Sequence, residues 1–277
     1  MQTVPLSDGT GYLHRYPDFP SQYFQPRTVD VWLPPAYSTD QAAHFPVIYM
    51  HDGQNLFDPA IAFTGTDWGV DEAINRLTAK GVIAGAIVVG VWNGALRWVD
   101  YMPQRLTDLP EGETILDFFL QEKGGRPHSN RYLQFLVDEI KPFIDTTYRS
   151  LPDQAHTYIM GSSMGGLASL YALESYPEIY GAAACLSTHW PAGGDLLVDD
   201  LAAHLPAPGN HRLYFDYGTA TLDELYEPFQ LRFDAQLQKA GYTRGRDWVT
   251  LKFEGAEHNE AAWRQRVEIP LRFLLAG

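Results

Sequence analysis

The segment Gly161-Ser162-Ser163-Met164-Gly165-Gly166 decides how this sequence is interpreted. It follows an apolar run, residues 156–160, that is typical of a buried strand, and it precedes a helical pattern over residues 167–171. A strand, a tight turn and a helix in this order present a nucleophilic serine at the edge of a sheet. The glycines two positions before and after Ser163 leave the space that such a strained turn needs. We therefore expect Ser163 to be a nucleophile.

The rest of the chain alternates the same two patterns. Amphipathic stretches, such as residues 132–144, lie between short apolar runs rich in β-branched residues. This alternation predicts an α/β fold in a single domain over residues 1–277, with a mostly parallel central sheet flanked by helices on both faces. The runs that predict buried strands are residues 28–33, 46–50, 86–92, 156–160, 181–186, 212–217 and 248–253.

Two segments interrupt the alternation. Residues 93–130 contain several glycines and prolines and are only weakly periodic, which favours a lid or a substrate loop. Residues 187–208 leave the predicted sheet after the strand that contains Cys185, and they carry His189 and Trp190. Both segments are candidates for substrate contacts.

Composition excludes several classes of function. The formal net charge of −14 repels nucleic acid phosphates and anionic lipids, so neither nucleic acid nor a membrane is an expected partner. Cys185 is the only cysteine, which excludes an internal disulfide or a thiolate metal cluster. His51, Asp52 and Asp58 lie close together in sequence, but their spacing defines no metal geometry, and no cofactor or metal is expected. The N-terminus has no signal-peptide pattern, which favours a soluble, cytoplasmic protein; oligomeric state is not predicted.

A serine nucleophile needs a general base and an acid that orients it. His258 follows the last predicted strand and precedes a terminal helical segment, which is where this strand–turn–helix chemistry places its base. Asp223 lies in the loop beyond the predicted strand at residues 212–217, where it could bind Nδ1–H of the imidazole. Asp223 is the predicted acid, and Asp216 and Glu224 remain alternatives.

Two backbone N–H groups are the expected oxyanion hole. One belongs to Met164, the residue after the nucleophile. The other is expected from Gln54, in the loop after the predicted strand at residues 46–50, where Gly53 would give the chain freedom to turn this N–H inward.

Four segments carry a resemblance to a known family: Tyr49 to Asn55, Arg97 with Asp100 to Pro103, Gly161 to Gly166, and His258 with Trp263-Arg264. Together they resemble the esterase family of the α/β hydrolases, which includes enterochelin, feruloyl and acetylxylan esterases, S-formylglutathione hydrolases and mycolyltransferases. The resemblance covers about residues 29–274 and implies the α/β-hydrolase fold. It implies Ser163 as nucleophile and His258 as base, and the N–H groups of Gln54 and Met164 as the oxyanion hole. The acid is the position that varies most within the family.

The substrate is predicted less narrowly than the chemistry. Aromatic and charged residues near the carboxyl edge of the sheet would suit a feruloyl ring, a sugar face or a catechol ring. We predict a serine esterase that acts through an acyl-enzyme on aryl or carbohydrate-linked acyl esters. The alternatives are a siderophore esterase, an acyltransferase, and a catalytically silent binding protein on the same scaffold. The predicted substrate-binding residues are Arg97, Trp98, Tyr101, His189 and Trp190.

Overall fold

A nine-stranded sheet forms the centre of the molecule in the computed structural model, which describes residues 1–9 and 11–276. Most strands are five or six residues long, and those in the middle of the sheet are completely buried. The strands are β1 (Gln2–Pro5), β2 (Tyr12–Phe19), β3 (Arg27–Trp32), β4 (Val47–His51), β5 (Ile87–Val91), β6 (Thr157–Ser162), β7 (Ala182–Leu186), β8 (Arg212–Gly218) and β9 (Trp248–Phe253).

The strands lie in the order β1-β2-β3-β5-β4-β6-β7-β8-β9. Neighbouring strands are antiparallel in the pairs β1–β2, β2–β3 and β3–β5. They are parallel in all pairs of that order from β5–β4 to β8–β9. The predicted mostly parallel sheet is confirmed, and each predicted strand is present with ends within two residues. The sequence did not predict β1 and β2, because these half-exposed strands contain no continuous apolar run.

Helices cover both faces of the sheet, as the alternating pattern predicts. No helix in the described ranges has the length and apolar character needed to cross a membrane. The α-helices are α1 (Pro35–Thr39), α2 (Val70–Ala79), α3 (Arg97–Tyr101), α4 (Gln104–Asp108), α5 (Glu113–Glu122), α6 (Ser129–Gln134), α7 (Lys141–Thr147), α8 (Met164–Ser175), α9 (Gly194–Ala203), α10 (Glu227–Lys239), α11 (Glu260–Arg266) and α12 (Glu268–Leu275), with a π-helical stretch, Phe135–Ile140, between α6 and α7.

Successive residues of β4 belong to two different cores. Tyr49 packs in the cluster that contains Leu167 of α8. Ile48 packs in the cluster on the opposite face, with Ile74 of α2 and Leu271 of α12. Because neighbouring side chains of a strand point to opposite faces, a strand that is apolar throughout must be covered on both sides.

The predicted loop at residues 93–130 is largely helical. It contains α3, α4, α5 and the start of α6. Helices α3 and α4 have five residues each, which is too short for a helical period to be visible in the sequence. Helix α5 buries only Phe119 completely, so its apolar pattern is weak. The role of this segment as a lid remains a prediction.

Backbone strain is concentrated at the carboxyl edge of the parallel strands. Within residues 1–9 and 11–276, the non-glycine residues with positive φ are Asp52 (57°), Ser163 (59°), Ser187 (41°) and Thr221 (57°). They follow β4, β6, β7 and β8 respectively. Such conformations cost about 1–3 kcal/mol each and are found mostly at functional sites. Ligands of open α/β sheets also bind at this edge.

Candidate active site

Ser163 occupies a sharp turn between β6 and α8. Its φ and ψ are 59° and −123°, and its N–H donates to the carbonyl of Leu186 at 2.9 Å, which fixes the turn to β7. A Cβ atom at Gly161 would lie 2.8 Å from the carbonyl oxygen of Gly165 and 2.8 Å from Cδ2 of His51. The turn therefore requires a residue without a side chain at position 161, as the sequence pattern indicated.

The imidazole of His258 is hydrogen-bonded to the carboxylate of Asp223. Nδ1 lies 2.6 Å from Oδ1, and the backbone N–H of His258 donates to Oγ1 of Thr221 at 2.9 Å. Burial would raise the pKa of Asp223, but hydrogen bonds from His258, Ser187 and Gly218 outweigh it and lower that pKa. Because an ionised carboxylate only accepts hydrogen bonds, Nδ1 of His258 carries a proton and donates the hydrogen bond to Asp223.

The two alternative acids are placed elsewhere. Asp216 is buried, and its Oδ1 lies 2.9 Å from Nη2 of Arg266. Its Oδ2 accepts a hydrogen bond from the hydroxyl of Tyr214 at 2.9 Å. Glu224 is exposed to solvent. Of the three candidate carboxylates, Asp223 is therefore the one that contacts the imidazole.

Ser163 and His258 line the same cavity, which has a volume of about 540 Å³. Tyr226, which sequence reasoning missed, lies behind them. Its hydroxyl is 2.6 Å from Nδ1 of His189 and 3.5 Å from Nδ1 of His258. Burial raises the pKa of Tyr226, and a hydrogen bond with Ser163 acts in the opposite direction. The one sequence feature that could have indicated Tyr226 is its position three residues after Asp223, in the same loop.

The two expected oxyanion donors come from the segment after β4 and from the start of α8. Met164 is the first residue of α8, where backbone N–H groups have no partner within the helix. Gln54 lines the cavity, and its Oε1 accepts a hydrogen bond from the N–H of Asn93 at 3.3 Å. Gly53 is needed for a different reason than expected: a Cβ there would lie 2.5 Å from the backbone of Gly90, so close packing rather than chain freedom requires glycine.

Arg97 lines the cavity, but its charge is compensated. Its Nε and Nη2 lie 2.7 and 2.6 Å from the two carboxylate oxygens of Asp52. Asn93 and Tyr101 also donate to Oδ1 of Asp52, at 2.6 and 3.2 Å. Burial would raise the pKa of Asp52, but Arg97 and Asn93 outweigh it and lower that pKa. We infer that Arg97 mainly holds the loop after β4, rather than offering a free cation to a substrate.

The predicted aromatic contacts divide into two groups. Trp98 lines the cavity and also a neighbouring apolar cleft of about 290 Å³. His189 lines the same cleft, and the ring centroids of His189 and Trp98 are 5.2 Å apart. Tyr101 and Trp190 do not line either space, which corrects the sequence prediction. Both side chains are fully buried. The hydroxyl of Tyr101 faces Asp52, and the indole N–H of Trp190 donates to Gln230 in the core at 3.0 Å.

Other aromatic residues complete the cavity wall. Phe63 is 86% exposed at the cavity, and Trp68 and Trp263 lie together with ring centroids 5.4 Å apart. Glu260 adds a carboxylate to the same wall. Trp263 could have been assigned from the segment that carries the family resemblance, whereas a loop residue such as Phe63 gives no signal in the sequence.

Comparisons with known proteins agree with this architecture. A family model described as "Putative esterase" matches residues 21–269. The "Uncharacterized protein YbbA" of Bacillus subtilis (strain 168) is 25% identical over 196 residues, which are 70% of this chain and 68% of that protein.

Solved structures of esterases share the fold. A ferulic acid esterase is 18% identical with a TM-score of 0.67, over 95% of this chain and 96% of that one. An IroE-like serine hydrolase from Shewanella oneidensis is 19% identical with a TM-score of 0.70, over 95% and 80%. The enterobactin esterase FES from Shigella flexneri is 18% identical with a TM-score of 0.65, over 95% of this chain but only 59% of that one.

The family model covers most of the chain, and its match includes the turn at Ser163 and the loop of His258. The mostly parallel sheet with helices on both faces is the fold expected of this family. The chain therefore belongs to the esterase family of the α/β hydrolases and is a carboxylic ester hydrolase.

Proposed function

We propose that this esterase works through Ser163 as nucleophile, His258 as general base and Asp223 as the acid that orients the base. The observation that carries the proposal is that a serine in a strained turn, with φ of 59°, faces the same cavity as an imidazole bound to a buried carboxylate. Such a combination activates a hydroxyl that is otherwise a weak nucleophile.

Acylation begins when Nε2 of His258 removes the proton of Ser163 and Oγ attacks the ester carbonyl. The N–H groups of Gln54 and Met164 bind the developing oxyanion, and each donor lowers the barrier by about 3–4 kcal/mol. Asp223 stabilises the imidazolium that forms. Collapse of the tetrahedral intermediate breaks the ester C–O bond, and His258 gives its proton to the departing alcohol.

Deacylation repeats these steps with water. His258 takes a proton from water, which attacks the acyl carbonyl, and the oxyanion hole binds the second tetrahedral intermediate. Ser163 then leaves with the proton that His258 returns, and the carboxylic acid is released. No step requires a metal or a cofactor.

We further propose aryl or carbohydrate-linked acyl esters as the substrates. The cavity is lined by the exposed Phe63, the partly exposed Trp98 and the mostly buried Trp68 and Trp263, and aromatic faces bind aromatic or sugar rings. Arg97 is compensated by Asp52, and Glu260 lies on the wall, so the cavity favours a neutral ligand. The similarity to a ferulic acid esterase supports the same class. A ferric catecholate siderophore carries high negative charge and fits this cavity less well.

A hydrolysis screen tests the proposal. The substrates are p-nitrophenyl esters, feruloylated and acetylated sugars, and enterobactin, with the Ser163→Ala protein as the matched control. We expect the feruloylated or acetylated sugars to give the highest kcat/KM, and Ser163→Ala to lose at least about 10⁴-fold in rate. Preference for enterobactin would contradict the proposed substrate class, and activity of Ser163→Ala near that of the wild type would contradict the nucleophile.

Two further assays separate the remaining alternatives. A fluorophosphonate probe labels only an activated serine, so failure to label Ser163 would favour a silent binding protein. Product analysis with an added sugar or alcohol acceptor distinguishes a hydrolase, which releases free acid, from an acyltransferase, which forms a new ester.

A further inference from the structure

Ser187, to which the sequence assigned no role, lies directly behind the acid of the proposed triad. It follows β7, it is fully buried, and its φ is 41°. Its hydroxyl oxygen lies 2.6 Å from Oδ2 of Asp223, 3.0 Å from Nε1 of Trp263 and 2.9 Å from Nη2 of Arg266. Three side chains from different segments of the chain therefore meet at this hydroxyl.

The chemistry of these partners determines the direction of each hydrogen bond. The indole of Trp263 and the guanidinium of Arg266 can only donate, so the oxygen of Ser187 accepts from both. Its single proton is then left for Asp223, which is ionised and can only accept. The orientation of the hydroxyl thus follows from its neighbours.

The carboxylate of Asp223 is divided between two tasks. Oδ2 accepts from the hydroxyl of Ser187 and from the N–H of Gly218, both at 2.6 Å. Oδ1 is left for Nδ1–H of His258. Because hydrogen bonds to a charged group are directional and strong, the two donors on Oδ2 set the angle at which Oδ1 meets the imidazole.

Arg266 connects this arrangement to a buried ion pair. Its side chain is almost completely buried, and Nη2 lies 2.9 Å from Oδ1 of Asp216 as well as 2.9 Å from Oγ of Ser187. A cation that donates to a hydroxyl polarises it and makes it a stronger donor to the next acceptor. Asp216, one of the two alternative candidates for the acid, therefore belongs to the same hydrogen-bonded network.

We propose that Ser187 is a positioning residue that couples the carboxylate of Asp223 to the Arg266–Asp216 ion pair and so holds His258 in its catalytic orientation. The inference rests on the proposed function, since it acts through the triad. Ser187 does not line the substrate cavity and reaches it only through Trp263, so its effect should fall mainly on the chemical step rather than on binding.

Two substitutions test the role, Ser187→Ala and Ser187→Gly. Both remove the hydroxyl and leave its buried partners without that hydrogen bond, which lowers stability. Glycine also tolerates the positive φ, so it relieves the backbone and offsets part of this loss. A thermal melt checks that each variant is folded at the assay temperature. We expect both variants to lose about 10- to 100-fold in kcat, with KM for a p-nitrophenyl ester within about twofold of the wild type. Ser129→Ala is the matched control, because Ser129 is also fully buried and its oxygen accepts one backbone N–H, from Gln104 at 3.0 Å.

A double-mutant cycle separates positioning from general structural damage. If Ser187 acts through Asp223, adding Ser187→Ala to the Asp223→Asn protein should lower kcat by less than about a further twofold. An equal loss in both backgrounds, or a raised KM with unchanged kcat, would overturn the positioning role. Wild-type rates in both Ser187 variants would overturn the positioning role but leave the proposed function intact. A wild-type protein that hydrolyses no ester in the screen would overturn the proposed function as well.

Discussion

Nδ1 of His258 lies 2.6 Å from Oδ1 of Asp223, although 35 residues separate the two in the chain. They meet because β8 and β9 are parallel neighbours, so the loops after these strands leave the sheet at the same edge. This topology brings a carboxylate and an imidazole from successive loops together as a hydrogen-bonded pair.

The identity of the acid can be tested with three conservative amides. Asp223→Asn should lower kcat by about 10³- to 10⁴-fold, because an amide neither holds the required tautomer nor stabilises the imidazolium. Glu224→Gln is the matched control and should keep wild-type activity. Asp216→Asn should act mainly on folding, since it leaves the buried Arg266 without its ion-pair partner. Steady-state kinetics and thermal melts of the three variants measure this, and a larger kcat loss in Asp216→Asn would refute Asp223.

The second prediction concerns the pH dependence of stability. Burial lowers the pKa of His51 from 6.5 to about 4, so this histidine is neutral in the folded protein. Between pH 4 and 6.5 the unfolded chain binds a proton at His51 that the folded protein does not bind. The contribution of His51 to the free energy of unfolding is therefore complete above pH 6.5 and is lost as the pH drops towards 4. The slope from one such group is at most about 1.4 kcal/mol per pH unit.

Urea unfolding between pH 4 and 7 measures this slope. His51→Gln removes the titrating group and should give a shallower dependence, even if it is less stable at pH 7 through loss of the 2.7 Å contact with Tyr132. His156→Gln, at a partly exposed histidine that pairs with Asp153, is the control for the loss of a histidine as such. If the wild type and His51→Gln show parallel curves, His51 is not the residue that takes up the proton.

The sheet was largely predictable from sequence because the central strands are apolar on both faces. A strand buried on both sides, such as β6, is part of an apolar run that is visible in the sequence. The strands β1 and β2 are half-exposed and lack that signal. The helices α3 and α4 were missed because five residues do not complete two helical turns.

The placement of individual site residues was only partly predictable. The positions of Ser163 and His258 between a strand and the following helix follow from chain order and strand ends. The direction of an aromatic side chain in a loop does not, and for that reason Trp190 turned out to pack in the core. The contacts of Ser187 and Tyr226 involve groups more than 30 residues away, so no local pattern could indicate them.

The third prediction addresses the aromatic wall. Trp98 lines both the cavity and the neighbouring cleft, so Trp98→Ala should raise KM for a feruloyl ester by about 2- to 10-fold, as expected for loss of one aromatic contact. The KM for p-nitrophenyl acetate, whose acyl group has no ring, should change less. Phe118→Ala is a useful comparison, because Phe118 lines the cleft but not the cavity. Equal effects on both esters would mean that Trp98 does not bind an aromatic acyl group.

The last prediction concerns the turn that holds Ser163, the proposed nucleophile. A Cβ at position 161 would lie 2.8 Å from the carbonyl oxygen of Gly165 and equally close to the ring of His51, a separation that real Cβ atoms essentially never show. Gly161→Ala must therefore move the backbone beneath Ser163, and we expect a loss of about 1–3 kcal/mol in the free energy of unfolding. Because Ser163 would shift with it, kcat should fall more than stability alone explains, and fluorophosphonate labelling should slow in parallel.

Gly11→Ala is the control: a Cβ there meets only Leu6 at 3.9 Å, so its unfolding energy should stay within about 0.5 kcal/mol of the wild type. A Gly161→Ala protein with wild-type stability and labelling rate would show that the turn has room to spare, and the strain at Ser163 would then have no part in presenting the nucleophile.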